Sequence, residues 1–228
     1  MIKHFLDIND LNQKELREIL SISKKIKKKP EKFSVLLNQK YLGLLFEKKS
    51  LRTRLSFSIG MQKLGGNVIE LDGNQIGFGK RESIKDILNV MSQYIDVLMV
   101  RNNNHKQLKQ LASLNVLPII NGLSDYSHPC QILSDIFTIE EFFGKIENQV
   151  VSWIGDFNNV LNSLIEAAER FEFKLNIMVP NSFKNAKIKN LKYSIFYKDI
   201  KEGLKNADCV MTDAWISMGD KNIKKISS

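Results

Sequence analysis

Apolar runs of strand length alternate with segments of helical period along most of this 228-residue chain, and that alternation constrains its fold more than any single motif does. Residues 41–46, Tyr-Leu-Gly-Leu-Leu-Phe, form one such run, and a helical segment with Leu55, Ile59, Met61 and Leu64 on its apolar face follows, stopped by Gly65-Gly66. Then come a run at 67–72, a helix carrying Ile84, Ile87, Leu88, Met91 and Ile95 at the 3.6 period, and a run at 97–100. A helix near 106–113, an apolar run at 116–120 and a long helix at about 129–143 continue the series. After a polar break at 144–149 it resumes with a strand at 150–154, a helix around 160–171, and strands at 174–179 and 209–212. The expectation is two α/β domains with central parallel sheets, hinged in the polar break.

Composition excludes several other classes. The hydrophobic 43% is spread in short runs, none near the apolar length that spans a bilayer, so no membrane association is expected. Charges interrupt the apolar residues of the first ten positions, which does not fit a signal peptide. Cys130 and Cys209 give neither a disulfide framework nor a paired metal spacing, which fits a reducing cytoplasm. The net charge of +9 raises the question of nucleic acid, and residues 24–29, Lys-Lys-Ile-Lys-Lys-Lys, are the densest basic run. That run ends a helix starting near Asn12, where cations suit the negative dipole end and Pro30 acts as a stop. A solvated helix end is the preferred reading, and no nucleic-acid partner is expected.

In a parallel sheet, ligands gather beyond the carboxyl ends of the strands. The run Phe46-Glu47-Lys48-Lys49-Ser50-Leu51-Arg52-Thr53-Arg54 places a helix N-cap, two hydroxyls and two guanidinium groups at such an end. Unpaired N–H groups of a helix N-terminus point at an anion, and arginine forks match phosphate, so a phosphate is the expected ligand. Arg101 follows another apolar run and would add a fixed charge; otherwise it is a surface strand end. His128, just before Pro129, would donate to a polarised carbonyl oxygen, against a structural role. Gln131 suits an amide-like substrate, or else is only a polar residue near a helix N-terminus. Asp213 would meet an ammonium group, or cap the turn after it.

Four ordered motifs resemble one family. Residues 46–54, His128-Pro-Cys-Gln131, Trp153-Ile-Gly-Asp-Phe-Asn-Asn159 and Asp213-Ala-Trp-Ile-Ser-Met-Gly219 together look like ornithine carbamoyltransferase, as does the opening at residues 4–11. The resemblance covers about residues 3–220, and Asp213 with Ser217-Met218-Gly219 looks like the ornithine branch of the aspartate/ornithine superfamily. It implies two doubly wound domains, a carbamoyl-phosphate-binding domain at 1–145 and an ornithine-binding domain at 146–228. It further implies transfer of a carbamoyl group from carbamoyl phosphate to the δ-amino group of L-ornithine, giving citrulline and phosphate in arginine metabolism, without cofactor or metal. By resemblance, Ser50, Leu51 (through its N–H), Arg52 and Thr53 hold the phosphate, and Arg101 bridges phosphate and carbonyl oxygen. His128 polarises that carbonyl, Gln131 binds the carbamoyl amino group, and Gln75 reaches the phosphate site of a neighbouring subunit. Asn159, Asp213, Ser217 and Met218 match residues that grip the α-amino and carboxylate end of ornithine. A cytoplasmic homotrimer, or a multiple of trimers, is implied.

Two features depart from the family pattern. Leu51 stands where the family commonly has Thr, which removes a hydroxyl and keeps the N–H. The family's later His-Cys-Leu-Pro motif is absent after Gly219, so the second domain is expected to be truncated and incomplete. Three readings stay open on sequence: a truncated carbamoyltransferase, a homologue that binds carbamoyl phosphate without turnover, and a basic nucleic-acid binder.

Overall fold

The computed structural model describes residues 2–48, 50–76, 82–180 and 191–213. Its chain divides into two compact units, Met1–Cys130 and Gln131–Ser228.

In the first unit, helix α1 (Gln13–Lys28) is capped by Asn12, whose side chain accepts from Glu15 N while Glu15 returns a bond to Asn12 N. Strand β1 (Tyr41–Phe46), helix α2 (Leu51–Lys63), strand β2 (Asn67–Asp72) and the short α3 (Gly73–Ile76) follow. Helix α4 (Ile84–Met91), strand β3 (Val97–Arg101), helix α5 (His105–Ser113) and strand β4 (Ile119–Leu123) complete the unit, up to the start of α6 (Pro129–Phe143). The strands form one parallel sheet in the order β2-β1-β3-β4. β1 and β3 are its inner strands, and the continuous burial of Leu42–Phe46 and Leu98–Arg101 is why both read as unbroken apolar runs rather than alternating ones. Gly43 sits at a close approach: a Cβ there would lie 2.5 Å from Ile95 Cδ1, so that side chain would have to shift.

Two expectations are corrected here. The fourth strand spans Ile119–Leu123 rather than 116–120, because Pro118 has no N–H for the ladder and offers only its carbonyl, which accepts from Leu98 N. The strand instead runs on through Asn121-Gly122, which look like turn residues; a Cβ on Gly122 would lie 2.2 Å from Met99 Sδ, and Asn121 N pairs with Phe5 O of the N-terminal segment. The apolar face expected on α2 is split: half-buried Met61 packs against the cluster of Leu42, Leu44, Phe46 and Met99, whereas Leu55 and Ile59 are exposed.

In the second unit, beyond α6, strand β5 (Val150–Ile154), helix α7 (Asn159–Phe171), strand β6 (Lys174–Met178), strand β7 (Ser194–Phe196), helix α8 (Ile200–Leu204) and strand β8 (Cys209–Met211) are described. The sheet is again parallel, in the order β7-β6-β5-β8. Its core is built on Trp153, Leu164, Phe171, Phe173, Leu175 and Ile177, all fully buried. Two buried polar side chains pin α8 to the sheet: Ser152 Oγ donates to Gly203 O at 2.8 Å, and Asn176 Nδ2 donates to the same oxygen at 2.9 Å. β7 and α8 were not expected, since three and five residues are too short to display a period. The α/β architecture with parallel sheets agrees with the alternation in the sequence. Among the described residues no helix is long and apolar enough to cross a membrane.

Candidate functional site

Strand register brings the expected phosphate residues to one edge of the first sheet. Phe46, the last residue of β1, lies beside Asp72 of β2 and Arg101 of β3, while Arg101 in turn faces Leu123 of β4. The turn leaving β1, the start of α3 and the loop after β4 therefore all issue from the carboxyl edge. Glu47 N donates to Arg101 O at 3.1 Å, which straps that turn to the end of β3.

Ser50 is extended and caps α2, its Oγ accepting from Thr53 N at 3.4 Å. Thr53 Oγ1 accepts from Arg101 Nη1 at 3.0 Å, so the helix N-terminus and the strand-end guanidinium meet in one hydrogen-bonded group. Arg101 is only 3% exposed, and burial lowers its pKa from the usual guanidinium value. A cation held this deep attracts an anion more strongly than one in water. Arg52 at the second helical position is exposed, and the Leu51 N–H belongs to the first turn, whose amides lack helical partners. Arg54, by contrast, forms an ion pair with Glu70 and lies 4.7 Å from the Phe46 ring, a role in holding the helix rather than an anion. Gln75 lies in α3; its side chain is outside the described residues.

Asn102, next to Arg101 in the chain, is not marked by any of the motifs. Asn102 is buried and its Nδ2 donates to Glu47 Oε1 at 3.0 Å and to Gln107 Oε1 at 2.8 Å. Burial raises the Glu47 pKa above the ordinary carboxylate value.

The loop that ends in His128 is fixed by a buried network. His105 bridges Ser124 Oγ, 2.8 Å from Nδ1, and Asp7 Oδ2, 3.2 Å from Nε2. A carboxylate only accepts, so Nε2 carries the proton of this contact. Asn121 Nδ2 donates to Leu6 O, Ser124 Oγ and Ser127 O, and Ser124 Oγ also accepts from Ser127 N at 3.1 Å. Serine, histidine and aspartate in line have the composition of a nucleophilic triad, but Ser124 is fully buried, so the line positions a loop and attacks nothing. His128 is half-buried at the end of that loop, directly before Pro129 opens α6.

In the second unit, Trp153 of β5 pairs with Met211 of β8, so the loops after these strands leave the sheet side by side. Asn158 caps α7, accepting from Val160 N and Leu161 N, and its Nδ2 donates to Asp213 Oδ2 at 2.8 Å. Asn158 is thus one residue in contact with Asp213, and Asn159, the residue expected at the site, is the first residue of α7. Ser217 and Met218 lie outside the described residues. Gln131 stands in the first turn of α6, four residues before Asp135, whose carboxyl burial pushes up to about 6, with Gln131 opposing and the Asp213 charge adding to the rise. Asp135 was missed on sequence; its only signal is its place four residues after Gln131.

Comparison with known proteins gives matching results for both units. The carbamoyl-P binding domain of aspartate/ornithine carbamoyltransferase matches residues 3–141, and the Asp/Orn binding domain matches 147–228. A protein from Rhodopseudomonas palustris named ornithine carbamoyltransferase is 43% identical over 231 residues, covering 97% of this chain and 74% of the relative. The ornithine carbamoyltransferase structure from Burkholderia thailandensis superposes with a TM-score of 0.87 at 33% identity, covering 94% of this chain and 76% of that one. The anabolic ornithine carbamoyltransferase of Campylobacter jejuni gives a TM-score of 0.86 at 36% identity, covering 98% of this chain and 76% of that one.

Proposed function

Since this chain belongs to the aspartate/ornithine carbamoyltransferase family, we propose that Ser50, the Leu51 N–H, Arg52, Thr53 and Arg101 hold the phosphate of its first substrate. The reaction is transfer of the carbamoyl group of carbamoyl phosphate to the δ-amino group of L-ornithine, giving citrulline and phosphate. Both domain matches and the 43% identity to a named ornithine carbamoyltransferase favour this over a homologue that only binds. The observation that carries the residue assignment is the Arg101–Thr53 hydrogen bond, which ties a buried cation to a capped helix N-terminus.

Each remaining role follows from chemistry. The δ-amine attacks the carbonyl carbon, the bond from that carbon to the phosphate oxygen breaks, and charge grows on the carbonyl and leaving oxygens. Arg101 and His128 meet that charge with prearranged donors, which is where electrostatic catalysis is strongest. Gln131 takes the carbamoyl amino group and orients the donor. Asn159, Asp213, Ser217 and Met218 hold the α-amino and carboxylate end of ornithine. We place the boundary between the two substrate domains at residues 145 and 146, in the polar break, and Gln75 in the phosphate site of a neighbouring subunit. Titration with phosphonoacetamide, a stable carbamoyl phosphate analogue, tests the phosphate assignment. Arg52→Ala should weaken binding about tenfold or more, since a hydrogen bond to a charged group contributes roughly 1.5 to 3 kcal/mol; unchanged affinity refutes the assignment.

The working form we propose is a cytoplasmic homotrimer, or a multiple of trimers, acting in arginine biosynthesis. Support for assembly comes from α2, where Leu51, Leu55 and Ile59 are spaced one turn apart and 72%, 51% and 45% exposed. An apolar stripe on a helix with no buried residue suits a subunit contact. Light scattering should give a mass of three 26.2 kDa chains or a multiple of it, and Ile59→Asp should shift it toward one chain. A monomer in the unmodified protein would contradict this.

A further inference from the structure

Asn158 uses both ends of its amide. Its Oδ1 accepts from Val160 N and Leu161 N, both at 3.0 Å, and its Nδ2 donates to Asp213 Oδ2 at 2.8 Å, 55 residues along the chain. The two sets of contacts demand the same orientation. The first N–H groups of α7 need an acceptor and the carboxylate needs a donor, so an amide turned end for end would set NH2 against N–H and oxygen against oxygen.

These bonds join a fixed part of the fold to an exposed one. Val160 and Leu161 are 4% and 0% exposed, and the loop before Asn158 is tied back by fully buried Trp153, whose Nε1 donates to Asp156 O at 3.3 Å. Asp213 lies two residues beyond β8 and is exposed. An exposed aspartate samples several rotamers, and ordering it on binding opposes affinity. The bond from Asn158 does that ordering in advance. A carboxylate accepts at several lone pairs, so a bond from Nδ2 still lets it accept from an ammonium group.

We propose that Asn158 is a positioning residue for the acceptor substrate: one end of its amide caps α7, and the other aims the Asp213 carboxylate at the α-amino group of L-ornithine. This rests on the reading that Asp213 holds that group. The two tasks are separable, because a hydroxyl can perform the first and not the second. Serine caps a helix about as well as asparagine, but its oxygen stands one bond short of the place that Nδ2 occupies.

Isothermal titration of the whole protein with L-norvaline in saturating phosphonoacetamide tests this, since L-norvaline keeps the α-amino and carboxylate end of ornithine and lacks the δ-amine. Asn158→Ser should weaken L-norvaline binding about tenfold, the loss of one hydrogen bond to a charged group, with the urea midpoint and phosphonoacetamide affinity unchanged. Asn158→Ala should lose the same affinity and also lower the midpoint. In an Asp213→Asn background, Asn158→Ser should cause no further loss, because Asn158 acts through that carboxylate. If Asn158→Ser does not fold, Asn158→Thr, which also caps, takes its place. A loss of L-norvaline affinity in Asn158→Ala but not in Asn158→Ser, or a loss that persists in the Asp213→Asn background, overturns the proposal while Asp213→Asn alone still weakens binding. If Asp213→Asn leaves the affinity unchanged, or the unmodified protein does not bind L-norvaline, the Asp213 reading fails and the proposal fails with it.

Discussion

Arg101→Met, which keeps most of the side-chain volume and removes the guanidinium, is expected to reduce phosphonoacetamide affinity by a hundredfold or more. Arg101 is 3% exposed, and its Nη1 is already committed to Thr53, so it holds a fixed direction before any ligand arrives. A preplaced, desolvated cation loses little freedom on binding, and a charged hydrogen bond of roughly 1.5 to 3 kcal/mol is a lower bound on its contribution. Arg101→Lys should recover little, because an ammonium cannot bridge Thr53 and a phosphate in the plane that a guanidinium spans. The effect should exceed that of Arg52→Ala, since Arg52 is exposed and screened by water. Equal losses at the two arginines would mean that burial of Arg101 serves packing alone.

Asp7→Ala is expected to destabilise the protein by roughly 1 to 3 kcal/mol in urea denaturation, the range for leaving a buried donor, here His105 Nε2, without its acceptor. The Asp7 carboxylate meets both His105 Nε2 and Lys109 Nζ at 3.2 Å, and through His105 it supports the loop before His128. Burial alone would raise the Asp7 pKa, but the His105 and Lys109 interactions outweigh it and hold the carboxyl below its ordinary value. A folded pKa below the unfolded one means that Asp7 contributes stability above the unfolded carboxylate range, and that this contribution is lost as pH falls through the lowered folded value. Asp7→Ala should therefore flatten the acid side of the stability profile as well as lower it. A variant that loses stability equally at every pH would show that packing, and not the ion pair, sets the cost.

The half of the site that is built from local signals was legible in the sequence. Ser50 as a cap, Arg101 at a strand end and Pro129 opening a helix are all written in neighbouring residues, and strand register then gathers Ser50 and Arg101 at one edge. What was illegible depends on partners far along the chain. The Asn158 cap bonds Asp213 across 55 residues, a contact that no local pattern displays. Asp135 reads as an ordinary polar helix residue until burial beside Asp213 gives it a perturbed charge. The β4 boundary moved because Pro118 withholds a donor and the N-terminal segment pairs with Asn121, a contact no local pattern displays. The apolar stripe of α2 was visible, but periodicity gives the stripe and not what covers it.

The most direct measurement is the reaction itself. With carbamoyl phosphate and L-ornithine, the protein should form citrulline and phosphate in equal amounts, and with L-aspartate in place of ornithine it should form no carbamoylated product. Absence of citrulline, or carbamoylation of aspartate, would contradict the account.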